Sequence, residues 1–204
     1  MSKLIAMSIS ELDTLIGENR VRALCNGFSS PLNLEVESFL KDKARQSAAL
    51  SSSVTYLVLD ENVGHALGYF TLLLKSFSVN EEVLSSANRR LIGRFARRNE
   101  TTGEYAAAVY LIAQLGRNFA VPKECGITGK ELIDLALEKL RIAQSTVGGK
   151  LALVERDRDR PKLLDFYRGN GFRSWNARYD KDDGITYDQM VRVIEPATVA
   201  EAAR

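Results

Sequence analysis

ECGITGKELIDLALEKL, residues 124–140, is a glycine-containing turn that leads directly into a helix-forming segment. From Leu132 to Leu140 the apolar residues recur with the period of an α-helix. The polar residues between them fall on the opposite face, as in a helix that packs one side against a core. The sequence therefore predicts an amphipathic helix over residues 129–147.

The turn before this helix carries Gly126 and Gly129 on either side of Thr128. A helix N-terminus has unpaired N–H groups and a partial positive charge, and glycine lets a ligand approach the backbone. Lys130 adds a formal charge at the same place. The turn suits either an ordinary cap or an anion site, typically for phosphate. It is not a Walker P-loop, since Glu131 follows Lys130 where Ser or Thr is required.

The segments around this helix alternate between strand and helix patterns. YAAAVYLIAQL (105–115) predicts a central strand, and KLALVE (150–155) predicts a second strand. Because a helix connects them, we expect these two strands to be parallel neighbours. A short helix begins near Pro161 and ends at Gly171.

The rest of the chain contains helices, a hairpin and a final pair of strands, and no linker marks a domain boundary. We therefore predict an α/β fold with a mixed sheet, in one domain over residues 1–204 with a flexible tail at about 195–204. The further predicted elements are a helix at 8–16 that starts with the capping box Ser8–Glu11, a helix at 33–50, a hairpin of strands 54–59 and 67–74, a helix at 80–98 and two strands within 172–194.

Composition excludes several classes of protein. The chain has 204 residues, is 45% hydrophobic and 26% charged, and has a formal net charge of +2. No stretch reaches the roughly 18 apolar residues of a membrane span, so we expect no membrane partner and no signal peptide. Cys25 and Cys125 are far apart and give no disulfide framework or zinc spacing. A cytoplasmic protein without a metal site is the expectation.

Three segments together resemble the GNAT superfamily of N-acetyltransferases: IAQLGRN (112–118), GITGKELIDLAL (126–137) and KLLDFYRGNGF (162–172). In that superfamily a strand of the form I-x-x-L-x-V-D precedes a pyrophosphate-binding turn, [QR]-x-x-G-x-[GA]. A later short helix ends in a Tyr followed by a Gly-Phe pair. The resemblance covers about residues 33–194. It implies the acyl-CoA N-acyltransferase fold, an α+β arrangement in which helices flank a mostly antiparallel sheet.

The match at the turn is incomplete. With Gly129 as the last glycine of the signature, Glu124 stands where Gln or Arg is usual and Ile127 replaces the middle glycine. With Gly126 as the middle glycine, Thr128 stands at the last position. The register of the turn therefore stays open between these two alternatives.

The resemblance implies that the chain binds acetyl-CoA as a co-substrate, with the pyrophosphate on the turn and the pantetheine arm along the end of the central strand. It implies a cofactor-binding set of Leu115, Gly116, Arg117, Gly126, Ile127, Thr128, Gly129 and Lys130.

The resemblance also implies that Tyr167 is the general acid that protonates the leaving thiolate. Spacing alone favours another interpretation, in which Tyr167 packs as an ordinary aromatic side chain. Glu155 and Glu104, at strand ends, are candidates for the general base. His65 is expected at the surface, and Cys125 is expected to be a small buried residue rather than a nucleophile.

The acceptor amine is not identified by the sequence. A basic helical insertion at about 80–104 places Arg90, Arg94 and Arg97 near i, i+4 and i+7, either as a solvated face or as a track for tRNA phosphates. Three functions remain: acetylation of a small molecule or protein amine, a GNAT toxin that acetylates aminoacyl-tRNA and has a protein antitoxin, and a non-catalytic acyl-CoA-binding module. A homodimer is also left open.

Overall fold

The structure is a computed structural model, and it describes residues 4–60 and 64–196. Its helices are Ile9–Ile16 (α1), Glu18–Asn26 (α2), Leu34–Ser38 (α3), Ala44–Ala49 (α4), Ser86–Ile92 (α5), Gly129–Val147 (α6) and Pro161–Gly169 (α7). Its strands are Leu4–Ser8 (β1), Val54–Asp60 (β2), Ala66–Asn80 (β3), Arg97–Arg98 (β4), Glu104–Arg117 (β5), Leu151–Asp157 (β6), Arg173–Tyr179 (β7) and Thr186–Val193 (β8).

The strands form one sheet in the order β1-β2-β3-β5-β6-β8-β7, and β4 pairs with β5. The pairings of β1 with β2, β2 with β3, β4 with β5, β6 with β8 and β7 with β8 are antiparallel. Helices flank this sheet, so the predicted mixed and mostly antiparallel α/β architecture is confirmed.

The parallel pairing of β5 with β6 is short. Tyr110 lies opposite Ala152, and Leu111 lies opposite Leu153. Beyond these pairs β5 continues to Arg117 and β6 continues to Asp157. The prediction that the central strand and the strand after α6 are parallel neighbours is confirmed.

The chain divides into two compact units. The first comprises Met1–Leu73 and Ile112–Leu137, and the second comprises Leu74–Leu111 and Glu138–Arg204. The core of the first unit is a cluster of buried side chains: Ile9, Leu12, Val21, Cys25, Phe28, Val36, Leu40, Ala44, Leu57 and Tyr69. In the second unit the strand segment Leu151–Val154 is buried, and Trp175 packs edge-on against Phe77.

The predicted helix at 33–50 is interrupted. Residues Phe39–Lys43 form a π-helical turn between α3 and α4. The hydroxyl of the buried Tyr69 donates a hydrogen bond of 2.5 Å to the Val36 carbonyl just before this turn. A side chain that donates to a helical carbonyl disturbs the regular series of i to i−4 backbone hydrogen bonds. This accounts for the wider, π-helical turn.

The predicted helix at 80–98 is too long. The α-helix there is only α5, because Ser85 caps its N-terminus by accepting a hydrogen bond from the Asn88 N–H and Gly93 ends it. Residues Arg97 and Arg98 instead pair with β5 as a short strand. Arg90, Arg94 and Arg97 therefore do not share one helical face, and the prediction that they follow each other at i, i+4 and i+7 of one helix was wrong.

Three elements of the described residues, β1, α2 and β4, are absent from the sequence prediction. The capping box Ser8–Glu11 and the helix that follows it are confirmed as α1. The hairpin, the central strand, the helix at 129–147 and the last two strands are also confirmed. The predicted single domain stays a prediction. Of the predicted tail, residues 197–204 lie outside the described residues.

Candidate functional site

The loop from β5 to α6 is anchored at two points and exposed between them. Val121 and Ile127 are buried, whereas residues 122–126 are exposed and include the 3₁₀ turn Lys123–Cys125. The loop therefore holds an exposed turn in front of the α6 N-terminus.

A second capping box closes the start of α6. The backbone N–H and the hydroxyl of Thr128 both donate to the Glu131 carboxylate, at 2.9 and 2.7 Å, and the Glu131 N–H donates to the Thr128 hydroxyl at 3.2 Å. The hydrogen bond from the Thr128 hydroxyl, followed by that from its N–H, lowers the pKa of Glu131. The Glu131 carboxylate thus accepts a hydrogen bond from the Thr128 N–H, which a bound phosphate could otherwise use.

Other N–H groups of the first helical turn remain for a ligand. Within the described residues, no acceptor takes the N–H of Gly129 or of Lys130. The Lys130 ammonium lies 2.5 Å from the Asp134 carboxylate on the exposed helix surface, so its charge is partly balanced. The helix start is therefore suited to an anion but is not strongly positive.

The glycines near the site differ in what they do for the fold. A Cβ on Gly116 would lie 2.4 Å from Val36 Cγ1, so its missing side chain is needed for packing. A Cβ on Gly126 would make only ordinary contacts, with the carbonyl oxygens of Lys123 and Pro122 at 3.5 Å and the Lys123 Cα at 3.9 Å. The φ of Gly126, −79°, is open to any residue. Packing within the described chain does not explain why residue 126 is a glycine.

The last three residues of β5 include one exposed side chain. Leu115 is half-buried and Gly116 is buried, whereas Arg117 is exposed with its guanidinium 5.1 Å from the Phe119 ring. These residues lie in the first unit together with the turn and the start of α6.

Tyr167 lies in α7, in the second unit. It is 8% exposed, and its ring contacts Phe166 and Phe172 edge-on, with centroids 5.1 and 5.7 Å away. Burial raises the pKa of Tyr167 to about 12. The phenol is thus protonated throughout the physiological pH range, as a proton donor must be, and it also packs as spacing alone suggested.

Glu155, on β6, is held by three side chains that the sequence analysis did not connect with it. Its carboxylate accepts a hydrogen bond of 2.7 Å from Gln189 and lies 3.7 Å from the Lys75 ammonium and 3.4 Å from the Arg178 guanidinium. Burial raises the pKa of Glu155, but the hydrogen bond from Gln189 and the two cations outweigh it, so the pKa lies below its ordinary value. Glu155 is therefore a weak base.

The other candidate side chains are exposed. His65 is exposed, as expected. Cys125 is also exposed, so its expected place as a small buried residue was wrong. It lies in the 3₁₀ turn of the loop, where the neighbouring residues 122–126 face solvent.

The arginines near α5 form a basic surface, which we define as Arg89, Arg90, Arg94 and Arg97. All four are exposed, and within the described residues no carboxylate forms an ion pair with them. The neighbouring Arg98 is instead engaged by Glu81 at 2.7 Å. The basic surface therefore presents four guanidinium groups to solvent.

Two kinds of feature are absent from the described part of the chain. No helix within residues 4–60 and 64–196 combines the length and hydrophobicity needed to cross a bilayer. Nor do these residues include a group of three or more His, Cys, Asp or Glu side chains that could hold a metal ion.

Comparison with known proteins identifies the fold. No family model and no curated protein matches the sequence. Among solved structures, the chain is similar to AtaT complexed with acetyl-methionyl-tRNAfMet, with a TM-score of 0.63, 14% identity and coverage of 91% of this chain and 94% of that one. It is also similar to AtaTR bound with AcCoA, with a TM-score of 0.57, 14% identity and 95% of each chain covered.

A third similar structure is a tyrosine-to-phenylalanine mutant of KacT, with a TM-score of 0.60, 16% identity and coverage of 91% of this chain and 94% of that one. AtaT is a toxin, and both AtaT and KacT have the GNAT fold. At this level of identity the likeness establishes the fold, and the chain has the GNAT fold predicted from its three sequence segments.

Proposed function

We propose that the chain is an N-acetyltransferase that uses acetyl-CoA. The observation that carries the proposal is the GNAT fold itself, which matches AtaTR bound with AcCoA over 95% of each chain. The exposed turn before α6 and the protonated phenol of Tyr167 supply two groups that this chemistry requires.

The α6 N-terminus is the proposed seat of the cofactor diphosphate. The N–H groups of Gly129 and Lys130 are without an acceptor in the described residues, and Gly126 has no side chain that could cover the turn. For the diphosphate to reach the Thr128 N–H as well, the Glu131 carboxylate must rotate away. Glu131 is exposed, so this rotation displaces no core packing.

The end of β5 is the proposed track for the pantetheine arm. In the described residues β5 pairs with β6 at Tyr110 and Leu111, and β5 then runs six residues further, to Arg117. Strand backbone of this kind can pair with the amide groups of pantetheine. Leu115, Gly116 and Arg117 are the proposed pairing residues, and a strand N–H would stabilise the oxyanion.

The proposed reaction is direct acyl transfer. The amine nitrogen attacks the thioester carbonyl carbon, an N–C bond forms, and the C–S bond breaks. Tyr167 donates its proton to the departing thiolate, and solvent restores the phenol. The proton released by the amine passes to Glu155 or, through water, to solvent.

A weak base favours an acceptor amine that loses its proton readily. A Lys side chain has a pKa of about 10.4, whereas an α-amino group has a pKa of about 7.7–8.0 and needs little help to lose its proton. The lowered pKa of Glu155 therefore suits an α-amine better than a lysine. We propose that the acceptor is the α-amine of an aminoacyl-tRNA.

The basic surface supports this acceptor. Arg90, Arg94 and Arg97 are exposed and without an ion pair in the described residues, so they are available to phosphates even though they do not share one helical face. AtaT, which is similar in fold, is complexed with acetyl-methionyl-tRNAfMet. The tRNA proposal also implies a protein antitoxin as a partner.

Labelled acetyl transfer tests the proposal. We expect transfer from acetyl-CoA to a mixture of aminoacyl-tRNAs, and a loss of about 10²-fold or more in Tyr167→Phe, because general acid catalysis contributes that much. Phe166→Leu, which alters the ring beside Tyr167 but keeps the phenol, is the matched control. Equal activity of wild type and Tyr167→Phe would contradict the assignment of the acid.

A second acceptor class, a small molecule or protein amine, is tested in the same assay. Transfer to free amines but not to aminoacyl-tRNA would select that class. Binding of acetyl-CoA without transfer to any acceptor would select a non-catalytic module. Reversing the charge of Arg90, Arg94 and Arg97 should lower transfer to tRNA and its dependence on salt, while leaving transfer to free amines unchanged.

A further inference from the structure

Asn118 is the first residue after β5 and begins the loop to the candidate cofactor turn. It is 6% exposed, and its backbone N–H donates to the Leu67 carbonyl at 2.8 Å. In the sequence it is the last residue of IAQLGRN (112–118), one of the three segments that resemble the GNAT superfamily. Its uncharged amide is one of the few polar side chains buried in the first unit.

The side-chain amide of Asn118 makes four hydrogen bonds. Its Oδ1 accepts from the N–H groups of Ser29 and Ala120, each at 3.0 Å. Its Nδ2 donates to the carbonyls of Ala66 at 2.7 Å and Gly27 at 3.3 Å. These bonds use the full capacity of an amide, with two donors and one doubly accepting oxygen.

These bonds tie three segments of the first unit to the end of β5. Gly27 and Ser29 belong to the loop after α2, Ala66 starts β3, and Ala120 lies in the loop that leads to α6. The Phe119 N–H also donates to the Ser29 carbonyl at 2.8 Å. The direction in which the chain leaves β5 is therefore fixed by buried polar contacts.

Besides these bonds, two buried side chains hold the loop. Between Asn118 and α6 only Val121 and Ile127 are buried, and residues 122–126 are exposed. We infer that Asn118 is a positioning residue for the cofactor: it sets the exit of the loop so that the turn presents its N–H groups, and it does not touch the cofactor itself. This inference rests on the proposed function of that turn.

The test is Asn118→Asp, which keeps the shape and Oδ1 but places a carboxylate oxygen opposite the carbonyls of Ala66 and Gly27. We expect the Kd and the KM for acetyl-CoA to rise at least tenfold, with kcat at saturating acetyl-CoA within twofold of wild type. Amide hydrogen exchange should become faster at residues 119–128.

The matched control is Thr71→Val, which breaks the buried hydrogen bond of 2.9 Å between Thr55 and Thr71 in the same unit. It should lower stability and leave the Kd for acetyl-CoA unchanged. If Asn118→Asp does not fold, Asn118→Ala removes the same bonds without adding a charge, and its Kd is measured instead.

The outcomes separate the inference from the function on which it rests. If wild type binds acetyl-CoA and the Asn118 variants bind it within twofold, with unchanged exchange at residues 119–128, the inference is wrong. If the control Thr71→Val weakens binding as much as Asn118→Asp, a general loss of stability is responsible and the inference is also wrong. If wild type itself does not bind acetyl-CoA, the proposed function fails first.

Discussion

Helices α1 and α6 begin with the same capping box but in different settings. In α1 the N–H and hydroxyl of Ser8 both donate to the Glu11 carboxylate at 2.8 Å, and the Glu11 N–H returns a bond of 3.2 Å. In α6 the corresponding distances for Thr128 and Glu131 are 2.9, 2.7 and 3.2 Å. The local chemistry of the two helix starts is the same.

The residues around the two caps differ. Ser8 is buried at the end of a paired strand, with Ala6 two positions before it and Ile9 directly after it. Thr128 is exposed, with Gly126 and Gly129 at the same two positions. Since α1 forms the box with side chains at both positions, the box does not require glycine. The glycines of α6 therefore need another reason, and the approach of a ligand supplies one.

The largest expected effect comes from making α6 resemble α1. In Gly129→Ala, we expect the Kd for acetyl-CoA to rise about tenfold, because a Cβ would stand where the diphosphate approaches. Stability should rise by about 0.5 kcal/mol, because alanine is the better helix residue. Calorimetric titration and thermal unfolding measure the two effects, and Gly126→Ala should weaken binding without loss of stability.

Weaker binding of acetyl-CoA together with higher stability in Gly129→Ala would support a role of the glycine in binding. If Gly129→Ala gains stability and keeps its affinity, the glycines serve turn geometry alone. The distinction between the two helix starts would then have no functional meaning.

Removing the capping hydroxyls tests whether the two capping boxes contribute equally to stability. Thr128→Ala and Ser8→Ala should each lower the free energy of unfolding by about 1 kcal/mol, the usual cost of a lost N-cap. Chemical denaturation measures both variants. Thr128→Ala should bind acetyl-CoA within twofold of wild type, because its backbone N–H remains. A cost at Ser8 with none at Thr128 would show that the α6 box contributes nothing.

The smallest expected effect concerns the charge in the α6 box. Glu131→Gln keeps an acceptor for Thr128 but removes the negative charge, so the Kd for acetyl-CoA should fall about threefold, as a charge near a helix end contributes under 1 kcal/mol. Glu11→Gln makes the same change in α1 and should leave the Kd unchanged. Equal shifts in both variants would point to net charge rather than to the site.

The elements predicted correctly are those with a strong local signal. The helix over 129–147 has its period and its cap within its own residues, and the hairpin strands have a turn between them. Strand β1 was missed because it has five residues and runs directly into the cap at Ser8. Helix α2 was missed because Glu18–Asn26 is mostly polar and only Val21 and Cys25 are buried.

Features that depend on distant partners could not be predicted. The π-helical turn follows from the Tyr69 hydroxyl, which lies on a strand 33 residues from Val36 in sequence. The weak basicity of Glu155 follows from side chains on three other strands. The four bonds of Asn118 join residues up to 91 positions apart. Local patterns gave the positions of Glu155 and Asn118, and only the fold gave their partners.

A crystal structure of the chain with acetyl-CoA tests the central claim most directly, because it locates the diphosphate relative to the start of α6. We expect diphosphate oxygens within hydrogen-bond distance of the Gly129 and Lys130 N–H groups, with the Glu131 carboxylate turned away from Thr128. Acetyl-CoA bound elsewhere, with the Thr128–Glu131 box intact and the turn unchanged, would contradict it.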